Sequence, residues 1–425
     1  MQEKIRGKKL LILAGAPVHC KVVHSAREMG VHTIVTDYLR YEDSPAKQIS
    51  DEHWNFSVSQ VDEIVERCKK EKVDGVLNFC IDPAQRPYQK ICESLGLYCY
   101  GTEEQFDLLT DKVLFKEFAR KNDIAVIEGY SLGDVEKDSV KYPVFVKPND
   151  SRGSRGQAVC HTKEEVRVAV ENALMESSNK KYIIEQYMCG KQDFTMTYLV
   201  KDGKPFLVRM GDRYLGAEKD RLNRQCVCLV CPSKFSDLYL ENVHHQICRL
   251  IRNLGIKNGP VFMQGFVDDD TIRFYDPGLR FPGGEYEALL AEATGSNLMK
   301  MLIEFALTGS MEMYDCLTDD LFKLNHCHTV QLPVTARPGL IHRFEGLDAI
   351  QRNKSVVSLF QRYNAGEEIP CTGDVRQRIC EIACVVRRGE SVGELVRWIQ
   401  SKLVVENKDK ESLLTSLVDP RLLDY

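Results

Sequence analysis

Residues 274–284 read FYDPGLRFPGG, directly after the apolar run VFMQGFV at 261–267. A core strand has no use for the carboxylate of Asp276 or the guanidinium of Arg280, because burying an unpaired ion costs several kcal/mol unless it neutralises. Pro277 and Gly278 turn the chain between the two charges. A strand that ends this way is expected to meet a ligand at its edge.

The rest of the chain narrows what that ligand is. Its 425 residues exceed what one core organises, so about two to four domains are expected. Hydrophobic content of 43%, 28% charged residues and a net charge of −5 describe an ordinary globular protein with no polybasic footprint, so neither nucleic acid nor an anionic membrane is an expected partner. No apolar run approaches the roughly 20 residues of a spanning helix. The 16 cysteines are scattered through apolar segments behind a charged start without a secretory leader, which predicts reduced thiols and a cytoplasmic location. Cys226, Cys228 and Cys231, like the HCH at 326–328, alternate as strand residues do; zinc needs about four ligands, usually in paired motifs, so both are read as structural.

From the start, KKLLILAGAPVHCKVVHSAREMGVHTIVTD reads as a βαβ unit, and further helices and strands to residue 100 extend a doubly wound parallel sheet. Gly15 and Asp37 imitate a dinucleotide fingerprint, but GAPVHC lacks the later glycines, so an architectural role is expected. TEEQFDLLTDKVLFKEFARKN then predicts one charged helix, capped by Thr102 or Thr110. Strands follow at YPVFVKP and KKYIIEQYM around a helix at HTKEEVRVAVENALM, and QDFTMTYLVKDGKPFLVRMGD predicts a hairpin turning at Asp202–Gly203. Long helices are expected at about 239–254 and 286–307. A third region from about Met311 has strands HTVQLPVTA, LIHRFEG and EIACVVRRGES and a last helix VGELVRWIQSKL.

Lys147 ends the strand VFVKP and precedes the small-residue loop NDSRGSRG. An ammonium beside free backbone N–H groups is a phosphate arrangement; a strand-end surface lysine beside an ordinary turn explains the local pattern equally well. Lys112 adds a second cation early in the preceding helix. Glu185, Gln186, Tyr187 and Met188 offer the apolar and polar mixture of an adenine edge, and Asp193 follows within reach of a ribose. Glu185 read by itself is a solvated carboxylate and Lys112 half of a surface ion pair. Arg209, Asp212 and Arg213 either face a substrate, where arginine grips carboxylates bidentately, or form a surface ion-pair cluster.

Taken in order, TDK, VFVKPNDSRGSRG, IIEQYM, QDFTMTYLVKDG and FYDPGLRFPGG resemble the ATP-grasp superfamily, the fold of biotin carboxylase, carbamoyl phosphate synthetase and D-alanine ligase. The resemblance implies an α/β and α+β multidomain chain: a Rossmann-like domain over 1–101, ATP-grasp lobes over 102–188 and 189–310, and a mixed α/β lobe over 311–425. It implies that Lys112 and Lys147 contact ATP phosphates, that the loop with Ser151, Gly153, Ser154 and Gly156 folds over them, that Glu185 to Met188 read adenine, and that Asp193 reaches the ribose. Asp276 and Gln264 take the positions of the Mg²⁺ (or Mn²⁺) ligands, and Arg280 with Lys147 the catalytic ones. Gln264 is neutral and Gly278 has no ligand side chain, so Asp276 carries most of the metal load; Glu285 either adds a carboxylate or opens the next helix.

The implied reaction is ADP-forming ligation of a small-molecule carboxylate to an amine through an acyl phosphate. Bicarbonate activation, or nucleotide binding with weakened turnover, are the alternatives. A homodimer is implied by the same resemblance.

Overall fold

The computed structural model describes residues 4–149, 156–177, 179–217 and 225–425. Ser151, Gly153 and Ser154 of the proposed phosphate loop lie outside the described residues; Gly156 is in a turn with φ +64°.

The first unit is a parallel sheet with strand order Glu52–Trp54, His32–Thr36, Lys9–Leu13, Gly75–Leu77. Leu10 to Leu13 are all fully buried, which is why the strand reads as a continuous apolar run: helices cover both faces of a parallel sheet. Asp37 accepts hydrogen bonds from the backbone N–H of Gly15 at 2.7 Å and of Leu39 at 2.8 Å, and a Cβ on Gly15 would lie 1.9 Å from Ser44 Oγ. The Gly15–Asp37 pair therefore closes the first turn, the architectural role.

A small antiparallel sheet follows in the order Gly129–Tyr130, Tyr182–Gln186, Val144–Pro148, Ala158–Cys160, backed by the helix Lys163–Glu176. Period two sorts its side chains. Val144, Val146 and Ile184 enter a separate apolar core with Val166 and Val170, leaving Phe145, Lys147 and Glu185 on the other face.

The central sheet has nine strands among the described residues, with path Thr271–Gly278, Gly259–Asp268, Gln192–Lys201, Lys204–Leu215, Cys226–Cys231, Cys327–Ala336, Arg378–Arg387, Val356–Gln361, and Leu414–Thr415 beside Cys327–Ala336. The hairpin turns at Asp202 and Gly203, whose φ of +49° and +79° suit a tight primed turn. Strands of the third region continue this sheet through the pairing Leu229↔Gln331↔Ala383↔Ser358. One surface thus runs from Gln264 to Ser358.

Three expected helices are each divided. Asp111 ends Glu103–Thr110 and caps Lys112–Lys121 by accepting from the N–H of Val113 and Leu114; Thr102 caps the first with a reciprocal Gln105 box, and Thr110 caps neither. The 239–254 stretch splits at Val243 into Ser236–Asn242 and His244–Asn253. Gly295, at φ +81°, ends Tyr286–Thr294, and Asn297 caps Leu298–Thr308. LIHRFEG also divides, into Gly339–Leu340 and Arg343–Glu345, each paired with a different strand.

Leu298–Thr308 packs on the N-terminal sheet so closely that a Cβ on Gly75 would meet Ala306 O at 2.4 Å. One apolar core therefore joins the first unit to the central sheet, and this brings the loop after Gly75–Leu77 to the end of Thr271–Gly278.

Candidate active site

A cleft of about 580 Å³ lies between the small sheet and the central sheet, closed at one end by the N-terminal unit. Lys112, Lys147, Glu185, Gln186, Tyr187, Met188, Asp193, Gln264, Asp276 and Arg280 all line it and converge on one site, whereas Gly156 does not line it and packs beside Pro148 and Glu176.

Lys147 Nζ lies 2.8 Å from Glu185 Oε2, over the ring of Tyr275 at 5.3 Å. Lys116, which donates to Ile127 O at 3.0 Å, holds the other Glu185 oxygen. Burial would raise Glu185, but the two ammoniums overcome it and bring its pKa to about 2. The Glu185 side chain is thus the buried counter-ion that presents Lys147, and its main chain stands with Gln186, Tyr187 and Met188 along the cleft. Lys116 lies one helical turn beyond Lys112, on the same face, and that spacing is the signal by which the sequence offers it.

Lys112 sits at the first position of its helix, where the macrodipole disfavours a cation. Its partner explains the placement. Lys112 Nζ is 3.0 Å from Asp276 Oδ1, and although burial would lower Lys112, Asp276 more than offsets this.

Across the floor, the strand register places Asp276 opposite Gln264, and Gln264 opposite Thr195. Asp193 accepts from Arg213 Nη1 at 2.6 Å and from Tyr275 OH at 3.2 Å, and its pKa is pushed up to about 6 by burial, with Arg213 opposing. Its oxygens are already engaged, which weakens the ribose role and makes it the anchor of Arg213 and Tyr275. Arg209 and Arg213 face the cleft, whereas Asp212, one residue out of phase, turns away to accept from Ser233, the Lys234 N–H and Tyr425 OH. Arg209 is 2% exposed, its guanidinium lies 4.5 Å from the Tyr286 ring centroid, and its Nε and Nη1 have no hydrogen-bond partner among the described residues.

Arg280 is gripped by Asp82 of the N-terminal unit, through Nε and, at 2.8 Å, through Nη2; its Nη1 donates to Phe281 O at 2.8 Å. Nothing local marks Asp82, which lies 198 positions from Arg280. Glu285 precedes the helix Tyr286–Thr294 without a side-chain cap bond and lies 3.4 Å from Ser358 Oγ.

The donor set suits one hard cation shared with phosphate oxygens and not a second. Asp276 is its single carboxylate, Gln264 Oε1 already accepts from Tyr275 OH at 3.1 Å, Gly278 offers no side chain, and no group of three His, Cys, Asp or Glu gathers among the described residues. Mg²⁺ bound through one or two carboxylates plus substrate phosphates fits that count.

Residues 111–313 match the family model described as carbamoyl-phosphate synthase L chain, ATP binding domain. Those 203 of the 425 residues, just under half of the chain, are similar to an ATP-binding domain of the ATP-grasp type. The chain is 26% identical over 199 residues to the carbamoyl phosphate synthase large chain of Clostridium beijerinckii, a match that covers 45% of the chain and 18% of that relative. The L-amino acid ligase of Bacillus licheniformis shares its fold with a TM-score of 0.76 at 17% identity, over 95% and 99% of the two chains. The biotin carboxylase domain of Hydrogenobacter thermophilus 2-oxoglutarate carboxylase, a dimer solved with MgADP and bicarbonate, gives 0.73 at 17% identity over 98% and 99%.

Proposed function

We propose that the chain is an ATP-dependent, ADP-forming ligase that joins a small-molecule carboxylate to an amine, acting in the cytoplasm as a homodimer. The observation that carries this reading is the convergence of Lys112, Lys147, Asp276 and Arg280 on one cleft that also holds the unpartnered donors of Arg209. The first four suit a triphosphate, the last a carboxylate.

Phosphoryl transfer asks the protein for position and charge rather than covalent chemistry. Lys147 and Lys112 neutralise phosphate oxygens, while Glu185 and Asp276 hold the two ammoniums in place before nucleotide arrives. Asp276 would hold Mg²⁺, which would supply positive charge to the transferring group. Arg280, oriented by Asp82, faces the position where negative charge develops; a donor so placed is worth about 3 kcal/mol when water is excluded. Arg209 holds the substrate carboxylate from the floor. The substrate carboxylate oxygen attacks the γ-phosphorus and ADP leaves; the amine then attacks the acyl carbon of the acyl phosphate, forming the C–N bond as inorganic phosphate departs and the amine gives up a proton.

The test is ADP release by the full chain with MgATP across amino acids, dipeptides and small organic acids. Release that needs both an acid and an amine is expected, and Asp276→Asn should lower it by at least about 100-fold. Release with bicarbonate alone, or full turnover by Asp276→Asn, overturns the proposal.

A further inference from the structure

Beyond Arg213 the cleft continues onto the strands Cys226–Cys231, Cys327–Ala336 and Arg378–Arg387, away from the lysine pair. This far wall holds an incompletely satisfied cation. Arg378 Nη2 donates to Gln225 Oε1 at a long 3.4 Å, its Nη1 stands 3.7 Å from Glu381 Oε1, and its Nε has no hydrogen-bond partner among the described residues. The same Glu381 oxygen already takes Nη2 of Arg362 at 2.6 Å and Nε at 3.0 Å. Gln225 is 2% exposed, and its amide Nε2 has no hydrogen-bond partner among the described residues.

Arg213, Arg362 and Arg378 share this wall with Asp193, Glu381 and Glu285; Asp193 belongs to Arg213 and the Glu381 oxygen to Arg362, so Arg378 has no close carboxylate of its own among the described residues. Burial lowers the proton affinity of Arg378, with Glu381 opposing and Arg362 and Arg213 adding to the lowering. A desolvated cation with unused donors is costly without an anion to accept from them. The flat guanidinium edge beside an amide N–H suits a carboxylate, whose two oxygens accept from both.

We propose that Arg378 and Gln225 form a subsite for a second substrate carboxylate, one that is not phosphorylated. The substrate class is accordingly a dicarboxylic acid as acyl donor or an α-amino acid as amine acceptor. The assignment rests on the ligase reading, because that reading puts the reacting carboxylate at Arg209.

The experiment has two parts. Thermal shifts of the full chain without ATP are measured with succinate and L-alanine, beside butyrate, which lacks the second carboxylate of succinate, and L-alaninamide, which lacks the single carboxylate of L-alanine. Succinate or L-alanine at tens of millimolar should raise the melting temperature while its control does not; succinate identifies the donor as the source, L-alanine the acceptor. Arg378→Ala should abolish that shift, and Arg378→Lys, which keeps the charge but not the flat pair of donors, should retain only part of it. In the ADP assay Arg378→Ala should raise KM for that substrate by about 10- to 100-fold, with kcat within about 3-fold. Equal shifts from acid and control, no shift from any probe, or an unchanged KM in Arg378→Ala overturn the subsite. A chain that never releases ADP but shows the Arg378-dependent shift refutes the ligase reading and leaves the subsite standing.

Discussion

Replacing Glu185 with Gln removes the negative charge from between two buried ammoniums. The side chains of Lys116, Lys147 and Glu185 are 5%, 4% and 2% exposed, so water cannot take over the lost role. Holding Glu185 at about 2 instead of 4.5 corresponds to about 3 kcal/mol of favourable interaction with its neighbours. Breaking a buried ion pair by removing one partner costs about 3–5 kcal/mol, the same size. Lys116 is itself lowered to about 8 by burial, with Glu185 opposing, so each of the pair's charges depends on the other. Because the Glu185 pKa is depressed, its contribution is complete above about 4.5 and vanishes as pH falls through about 2, so pH 7 is the place to measure it. The melting temperature of Glu185→Gln should fall by roughly 3–6 °C in differential scanning fluorimetry. A triphosphate would return an anion to Lys147, so MgATP should raise the melting temperature of the variant more than that of the wild type. A variant that melts within about 1 °C of wild type would refute the view that Glu185 is the charge anchor of this site.

Glu287 is buried, neither of its carboxylate oxygens has a hydrogen-bond partner among the described residues, and burial pushes its pKa to about 7 against the opposing pull of Arg209. A raised carboxyl makes the folded state bind more protons between about 4.5 and 7, so stability should fall by about 3 kcal/mol as pH rises through that window. Glu287→Gln should flatten this profile and melt higher than wild type at pH 8; parallel profiles would refute the account. Gly284 has φ +125°, and a Cβ there would lie 2.5 Å from Gln331 Oε1. Gly284→Ala should cost roughly 1–2 kcal/mol of stability and reduce ADP release, read by fluorimetry and the coupled ADP assay, and a neutral outcome in both would remove the strain argument.

Much of the site was legible because it is local. Val144–Pro148 alternates, so Lys147 must face opposite to Val144 and Val146, and that alternation also sorts Arg209 and Arg213 from Asp212. The departures at Gln264 and Gly278 are equally visible, and the structure shows their consequence in a Gln264 oxygen already occupied by Tyr275. The partners of these residues were not legible. No local pattern shows that the Glu185 side chain meets Lys116 and Lys147, or that Asp193 meets Arg213 and Tyr275. Helix breaks at Asp111 and Gly295 lie in residues that cap as readily as they interrupt, and only packing decides which.

By itself the sequence determined the kinds of element, the face each charged residue takes and the inventory of charges, because backbone sterics and a period of two or 3.6 act over a few residues. Tertiary structure alone decided which charges meet. The joining of the third region to the central sheet brought Arg378 and Gln331 into the cleft, and the packing of Leu298–Thr308 on the N-terminal sheet carried Asp82 to Arg280. Electrostatic pairing depends on distance through space and on the exclusion of water, and neither is a property of neighbours along the chain.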